Sequence, residues 1–148
     1  MIALGCDRSG VGFIRKFCGY FDDNGIEYRV FTEGSGAGED YNDAALKVAE
    51  SVVSGESRLG VLVCGTGIGM SIMANKVKGI RAAVCGDTYS AEMTRRHNDA
   101  NVLCMGGKVV DRETGLKLVK IFLETEFEGG RHQRRIDQIA QIENETLQ

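Results

Sequence analysis

The 148-residue sequence predicts an α/β fold, a three-layer α/β/α sandwich built on a five-stranded parallel, Rossmann-like sheet. Three observations carry this expectation. Five short apolar runs rich in Val, Ile, Leu and Cys are separated by longer segments whose apolar residues recur three and four apart, the period of a helix. The short runs are continuously apolar rather than alternating, as strands covered on both faces are. Strand and helix alternate without a break, and right-handed βα crossovers then stack helices on both sides of one parallel sheet.

The first run, IALGC (2–6), is strand one; the loop GCDRSG (5–10) leaves it, and FIRKFCGYF (13–21) carries the first helical stripe. YRVFT (28–32) is strand two, followed by EGSGAGED (33–40), whose glycines mark a surface loop placed to rim a pocket. AALKVAESVV (44–53) is a helix and LGVLVC (59–64) the third strand, running into CGTGIGMS (64–71) with a helix starting near Ile68 or Gly69. IRAAVC (80–85), YSAEMTRRH (89–97), NVLCM (101–105) and GLKLVKIFLETEF (115–127) continue the alternation. In the last segment, RRIDQIAQIENE (134–145), Ile136, Ile139 and Ile142 form an apolar stripe that needs a cover, either the parent domain or a partner chain. In a strand order of 2-1-3-4-5, the loops after strands one and three face each other at the switch point, where such sheets bind ligands.

A chain of this length buries about two thirds of its unfolded surface, so residues 1–148 read as one domain. The composition is 43% apolar and 26% charged with net charge −3, which fits a folded protein and offers no broad basic surface for nucleic acid. No apolar stretch approaches the ~20 residues that span a bilayer, and no basic-then-hydrophobic leader opens the chain; a cytoplasmic protein without a membrane partner is expected. The cysteines number five, and Cys6, Cys64, Cys85 and Cys104 sit in or at the end of apolar runs, where a reduced thiol packs as a small hydrophobe. A disulfide framework is not expected. Neither is a metal centre, because no C-x-x-C pair occurs and His97 and His132 are far apart in the chain.

The unusual chemistry follows strand three. Glycines at 65, 67 and 69 let the backbone approach a ligand closely and permit positive φ, so several amides can converge on an anion or a developing oxyanion. A helix starting just beyond adds its positive end and favours a thiolate at Cys64, as base or nucleophile. The same residues read equally well as a cysteine packed at a strand end and a tight strand-to-helix turn. Spacing removes three other readings. Met70 stands where a G-x-G-x-x-G dinucleotide loop has its last glycine, no Gly-Lys-Ser/Thr occurs, and CGTGIGMSIMANK lacks the arginine that closes a cysteine-phosphatase loop.

Four stretches in order, CGTGIGMSIMANK (64–76), GIRAAVC (79–85), RRHNDANVL (95–103) and EGGRHQRR (128–135), closely resemble the ribose-5-phosphate isomerase B family, which also includes galactose-6-phosphate and allose-6-phosphate isomerases. The resemblance runs nearly end to end. It implies an aldose–ketose isomerase of a phosphorylated sugar that needs no cofactor or metal. It also implies a homodimer, or a tetramer, with active sites at the subunit interface. There His97 and its neighbours, or the arginine-bearing C-terminal helix, reach toward the partner subunit.

By that resemblance Cys64 is the carbon base, Thr66 relays the proton between O1 and O2, and Gly65, Gly67, Gly69 and Ser71 present backbone donors to the enediolate oxygen. His97 opens the sugar ring, which suits an imidazole titrating near about 6.5, and Asn98 bonds sugar oxygens; without the resemblance they are a surface histidine and a helix C-cap. Arg131 and Arg135, one helical turn apart, grip the phosphate, with His132 and Arg134 alongside to assist and Lys108 a weaker contributor. Tyr41 lines the sugar pocket, and Asp7 either bonds sugar hydroxyls or caps the first helix.

Two departures stand out. Relatives read Asp-His after the first strand where this chain has Asp7-Arg8, so Arg8 is expected to meet phosphate without a histidine's pH dependence. DYND (40–43) replaces Asp-Tyr-Pro, keeping Tyr41 in a chain without proline. Interconversion of ribose 5-phosphate and ribulose 5-phosphate is the first reading. Allose 6-phosphate or galactose 6-phosphate isomerisation is the second, since one more carbon changes only pocket depth. A non-catalytic sugar-phosphate-binding module is the reading from outside enzymology, and the retained base and acid speak against it.

Overall fold

The computed structural model describes residues 1–31 and 41–146. Thr32 and the loop 33–40, expected to end the second strand and rim the pocket, lie outside the described residues. Strand β1 (Ile2–Cys6) passes through a 3₁₀ turn (Arg8–Gly10) into α1 (Val11–Asp23), and β2 (Tyr28–Val30) precedes α2 (Tyr41–Val53). Then follow β3 (Leu59–Cys64), α3 (Ile68–Ala74), β4 (Ala82–Val84), α4 (Thr88–Asn98), β5 (Val102–Gly106), α5 (Arg112–Glu124) and α6 (Arg131–Thr146).

All strand pairings are parallel, and the order is β2-β1-β3-β5-β4. This corrects the expected 2-1-3-4-5 order: β5 takes the place beside β3 and β4 goes to the edge. Burial explains the exchange. Every residue of β5 is buried, whereas Ala82 and Ala83 are half-buried and Val84 is exposed, so the strand with more apolar surface to hide occupies the interior. The switch point between β1 and β3 is unaffected, and Cys6 pairs with Val63 there while Cys64 pairs with Gly106 on the other side.

The side-chain alternation of the strands feeds two cores. On one face Leu4, Val61, Val63, Leu103 and Met105 pack with Phe13, Phe17 and Phe21 of α1 and Leu118 and Phe122 of α5. On the other, Ala3, Leu62, Cys64, Val102 and Cys104 pack with Ala45, Val48 and Ala49 of α2 and Met70 of α3. Each fully buried Leu, Val or Phe contributes about 1.5–3 kcal/mol of hydrophobic burial, so the two cores fix the positions of the loops at the strand ends. Asp87 and Asp111 start α4 and α5 by accepting the Ser90 and Thr114 amides, each at 2.7 Å. Helix α6 lies against α4 and the loop before β4. Ile136 is buried, and the carboxylate of Glu143 accepts the Gly79 amide at 2.8 Å. Ile139 and Ile142 remain 45% and 59% exposed, so the parent domain covers only part of the predicted stripe.

Candidate active site

Three loops meet at the carboxyl ends of β1, β3 and β5. The Cys64 and Gly65 carbonyls accept the Gly107 and Lys108 amides at 2.7 and 3.1 Å, which clasps the β3 loop to the β5 loop. The approach leaves no room for side chains. A Cβ on Gly106 would lie 2.8 Å from Thr66 Cα, and one on Gly107 would lie 2.9 Å from the Ser9 carbonyl oxygen of the β1 loop. This edge therefore collects Asp7, Arg8, Cys64, Gly65, Thr66, Gly67, Gly69, Ser71 and Lys108. Tyr41 joins them from the start of α2, its ring so close to Gly69 that a Cβ there would sit 2.9 Å away.

The sulfur of Cys64 is buried at the strand end and accepts the Gly67 amide at 3.1 Å. That bond requires Gly67 to turn through a left-handed conformation, φ +81°, with its α-carbon against the Met105 backbone. An N–H aimed at sulfur stabilises negative charge on it. Thr66 is exposed, and its hydroxyl oxygen accepts the Ile68 amide at 3.2 Å, which fixes the side chain at the loop crest. Ser71 is used differently from the expectation: its amide is spent on the Gly67 carbonyl and its hydroxyl on the Ile68 carbonyl. Asp7 caps the 3₁₀ turn through Ser9, and Arg8 beside it is exposed. Burial pushes the Cys85 thiol up to about 11 and the Cys104 thiol higher still, which leaves both protonated near neutrality.

His97, Asn98, Arg131 and Arg135 gather elsewhere. Helix α4 runs back from the carboxyl edge, so its last turn lies beside the start of the sheet, where Asn101 accepts the Gly60 amide through its carbonyl at 2.9 Å. From Gly60 to Cys64 the strand climbs about 13 Å at ~3.3 Å per residue. Within one chain, His97 and Cys64 are on opposite edges of the sheet. Asn98 is not the cap of α4; Asp99 is, in a left-handed conformation with φ 45°. The Arg95 guanidinium holds that turn, donating to the Asp99 carboxylate at 2.8 Å and to the Ala100 carbonyl at 2.7 Å.

The segment before α6 closes over this turn. The Glu128 amide donates to the Arg96 carbonyl at 3.1 Å, and Gly129 and Gly130, at φ +70° and +57°, swing the chain into α6. His132, expected to assist the phosphate arginines, is instead turned inward and 4% exposed. Its ring stacks on His97 with centroids 4.3 Å apart and planes 13° from parallel. The Glu128 carboxylate lies 3.9 Å from His97 Nε2, 4.0 Å from His132 Nε2 and 3.7 Å from the Arg96 guanidinium. Burial and the neighbouring His97 and Arg131 hold His132 below the usual histidine range. Sequence reasoning missed Glu128 altogether; the only signal was its place at the head of EGGRHQRR. Arg131 and Arg135 are exposed on α6, and Arg135 lines a 750 Å³ cavity with Ile80, Asn98, Ile139 and Ile142.

His97, Glu128 and His132 also bring one possible cation-binding atom each within 4.8 Å of one another. The arrangement suits a metal poorly. In-plane lone pairs of two nearly parallel, stacked rings do not converge on one point ~2 Å from both, and Arg96 already occupies the carboxylate. Among the described residues, no helix is long and apolar enough to cross a membrane.

Residues 2–139 match the Ribose/Galactose Isomerase family. The chain is 46% identical to ribose-5-phosphate isomerase B of Escherichia coli over 146 residues, 96% of this chain and 95% of that one. The solved ribose-5-phosphate isomerase B of Clostridium thermocellum superposes with a TM-score of 0.94 at 45% identity, covering 97% of each chain. That of Mycoplasma genitalium, solved with bound ribulose-5-phosphate, gives 0.93 at 37% identity over 98% of this chain and 97% of that one.

Proposed function

From the premise that this chain belongs to the ribose/galactose isomerase family, we propose that it interconverts ribose 5-phosphate and ribulose 5-phosphate through an enediolate. The observation that carries the reading is the Gly67 amide on the Cys64 sulfur, at the head of a loop whose Thr66 is exposed.

In the aldose-to-ketose direction the Cys64 thiolate takes the proton from C2, and the electron pair of that C–H bond becomes the C1–C2 double bond of the enediolate. The charge that reaches O1 is met by the amides of the Gly65–Gly69 loop that Cys64 and Thr66 do not take, since Gly67 donates to the sulfur and Ile68 to the Thr66 hydroxyl. Thr66 passes a proton between O2 and O1, so that O2 becomes the ketone oxygen and O1 a hydroxyl. The Cys64 thiol returns its proton to C1, and the base is regenerated. Arg131 and Arg135 neutralise the phosphate, Arg8 and Lys108 supply further positive charge, and Tyr41 and Asp7 border the sugar. Fixed charge on the phosphate places C2 over the sulfur, so binding energy remote from the reacting carbon orients it.

The opposite placement of Cys64 and His97 in one chain supports a site shared between two copies. Cys64, Thr66 and the glycine loop come from one, and His97, Asn98 and the arginine helix from the other. The half-covered Ile139 and Ile142 favour such a partner. A two-fold pair contains two such sites. Mixing inactive Cys64→Ala and His97→Asn chains under subunit exchange should restore about one quarter of wild-type ribose 5-phosphate turnover, because half the pairs are mixed and each mixed pair rebuilds one intact site. Mixtures that stay inactive while the subunits demonstrably exchange would refute the shared site.

A further inference from the structure

We propose that Glu128 and His132 are positioning residues for His97, holding its imidazole in the orientation that opens the sugar ring. The proposal rests on the isomerase reading above and goes beyond it to two residues which that reading does not use.

His97 sits on the last turn of α4 with 38% of its side chain exposed. An imidazole so placed turns freely about two bonds unless something confines it. Here one face is covered by the ring of His132, 4.3 Å away and nearly parallel, and the Glu128 carboxylate stands 3.9 Å from Nε2. Neither support is itself loose. Glu128 is tied to α4 by its own amide, on the Arg96 carbonyl at 3.1 Å. His132 is buried in the first turn of α6, where its amide donates to the Gly129 carbonyl at 3.1 Å. The two left-handed glycines between them allow Glu128 to face the edge of the His97 ring while His132 lies under its face.

What His132 gives His97 is a flat ring face; its Nδ1 is buried without a hydrogen-bond partner, a cost that an apolar ring of the same shape would avoid, and its Nε2 lies 4.0 Å from the carboxylate that faces His97. The three groups thus form one unit whose exposed member is His97.

Ring opening needs this orientation. The C1–O4 bond of the furanose breaks, its electron pair stays on O4, and O4 takes a proton from the His97 imidazolium. The C1 hydroxyl releases its proton to solvent water, and C1–O1 becomes the aldehyde. A proton donor turned away from O4 leaves enolisation intact but starves it of open substrate. Ribulose 5-phosphate never makes this demand. With its carbonyl at C2 and its phosphate on O5, it has no hydroxyl that can close a five-membered ring.

The test measures kcat/KM for ribose 5-phosphate and, in deuterated water, exchange of the C1 hydrogen of ribulose 5-phosphate, for wild type, Glu128→Gln, His132→Ala and His132→Phe, with folding checked by circular dichroism. Glu128→Gln and His132→Ala should lower kcat/KM for ribose 5-phosphate by about tenfold or more, and the fixed overall equilibrium requires the same loss in the reverse direction. The exchange needs only the enediolate and should change by less than about twofold. His132→Phe, which keeps the flat face, should recover most of what His132→Ala loses. Equal losses of turnover and exchange, no loss in either, or Phe no better than Ala would each overturn the proposal. If His132→Ala does not fold, the decision rests on Glu128→Gln losing and His132→Phe keeping ribose 5-phosphate turnover. A wild type inactive on both pentose phosphates would instead remove the isomerase reading, and the positioning role with it.

Discussion

The Gly67 amide donates to the Cys64 sulfur across 3.1 Å, from a residue three positions further along a loop that only glycine can form. A hydrogen bond to sulfur is stronger when sulfur is charged, which supports the proposed role of Cys64 as carbon base. Cys64→Ala should therefore lose at least about 10³-fold in kcat, the scale of a general base, while still binding a non-isomerisable five-carbon sugar acid phosphate. Kinetics paired with calorimetry checks this; comparable loss of binding would remove Cys64 from the chemistry.

Gly67→Ala should damage stability and turnover together. At φ +81° an L side chain costs about 1–2 kcal/mol, and its Cβ would lie 2.8 Å from the Met105 carbonyl carbon. The expected loss is about 2 kcal/mol or more in urea unfolding, with kcat reduced even where the protein remains folded, because the amide leaves the sulfur.

Arg8, Arg131 and Arg135 are exposed and take no part in either core. Single alanine variants should leave the melting temperature within about 1–2 °C and raise KM for ribose 5-phosphate about tenfold each, as expected for a lost charge-assisted phosphate contact. Inhibition by inorganic phosphate should weaken in parallel. An Arg8→Ala enzyme with unchanged phosphate inhibition would sink its assigned role.

His132→Phe should alter the pH dependence of stability. The folded-state value of His132 is depressed by burial and by His97 and Arg131, while in the unfolded chain it titrates near about 6.5. Below that value the unfolded chain binds the extra proton and the folded one resists it, so stability falls as pH drops from about 6.5 toward the depressed value. Thermal melts at pH 7.5 and pH 5 should show the variant gaining on wild type at the lower pH. A constant difference between the two proteins would contradict this.

Arg95→Ala should unfold the corner that carries His97 and Asn98. The guanidinium is 9% exposed and bonds the Asp99 carboxylate, the Ala100 carbonyl and the Thr125 carbonyl. Removing it takes that donor from the Ala100 and Thr125 carbonyls while Asp99 keeps Arg81 at 3.3 Å, at a cost of about 1–3 kcal/mol, readable as a shifted urea midpoint.

The strand and helix segments, the glycine loop after Cys64 and the one-turn spacing of Arg131 and Arg135 were all legible in the sequence. Each depends on side chains within a few residues of one another, so local periodicity and steric rules suffice. Tertiary structure alone decided that β5 lies inside β4, that His97 and Cys64 stand at opposite edges of one sheet, and that Glu128 and His132 enclose His97. Those relationships join residues dozens of positions apart, and they follow from which strand had more apolar surface to bury and from where a pair of left-handed glycines sent the last helix.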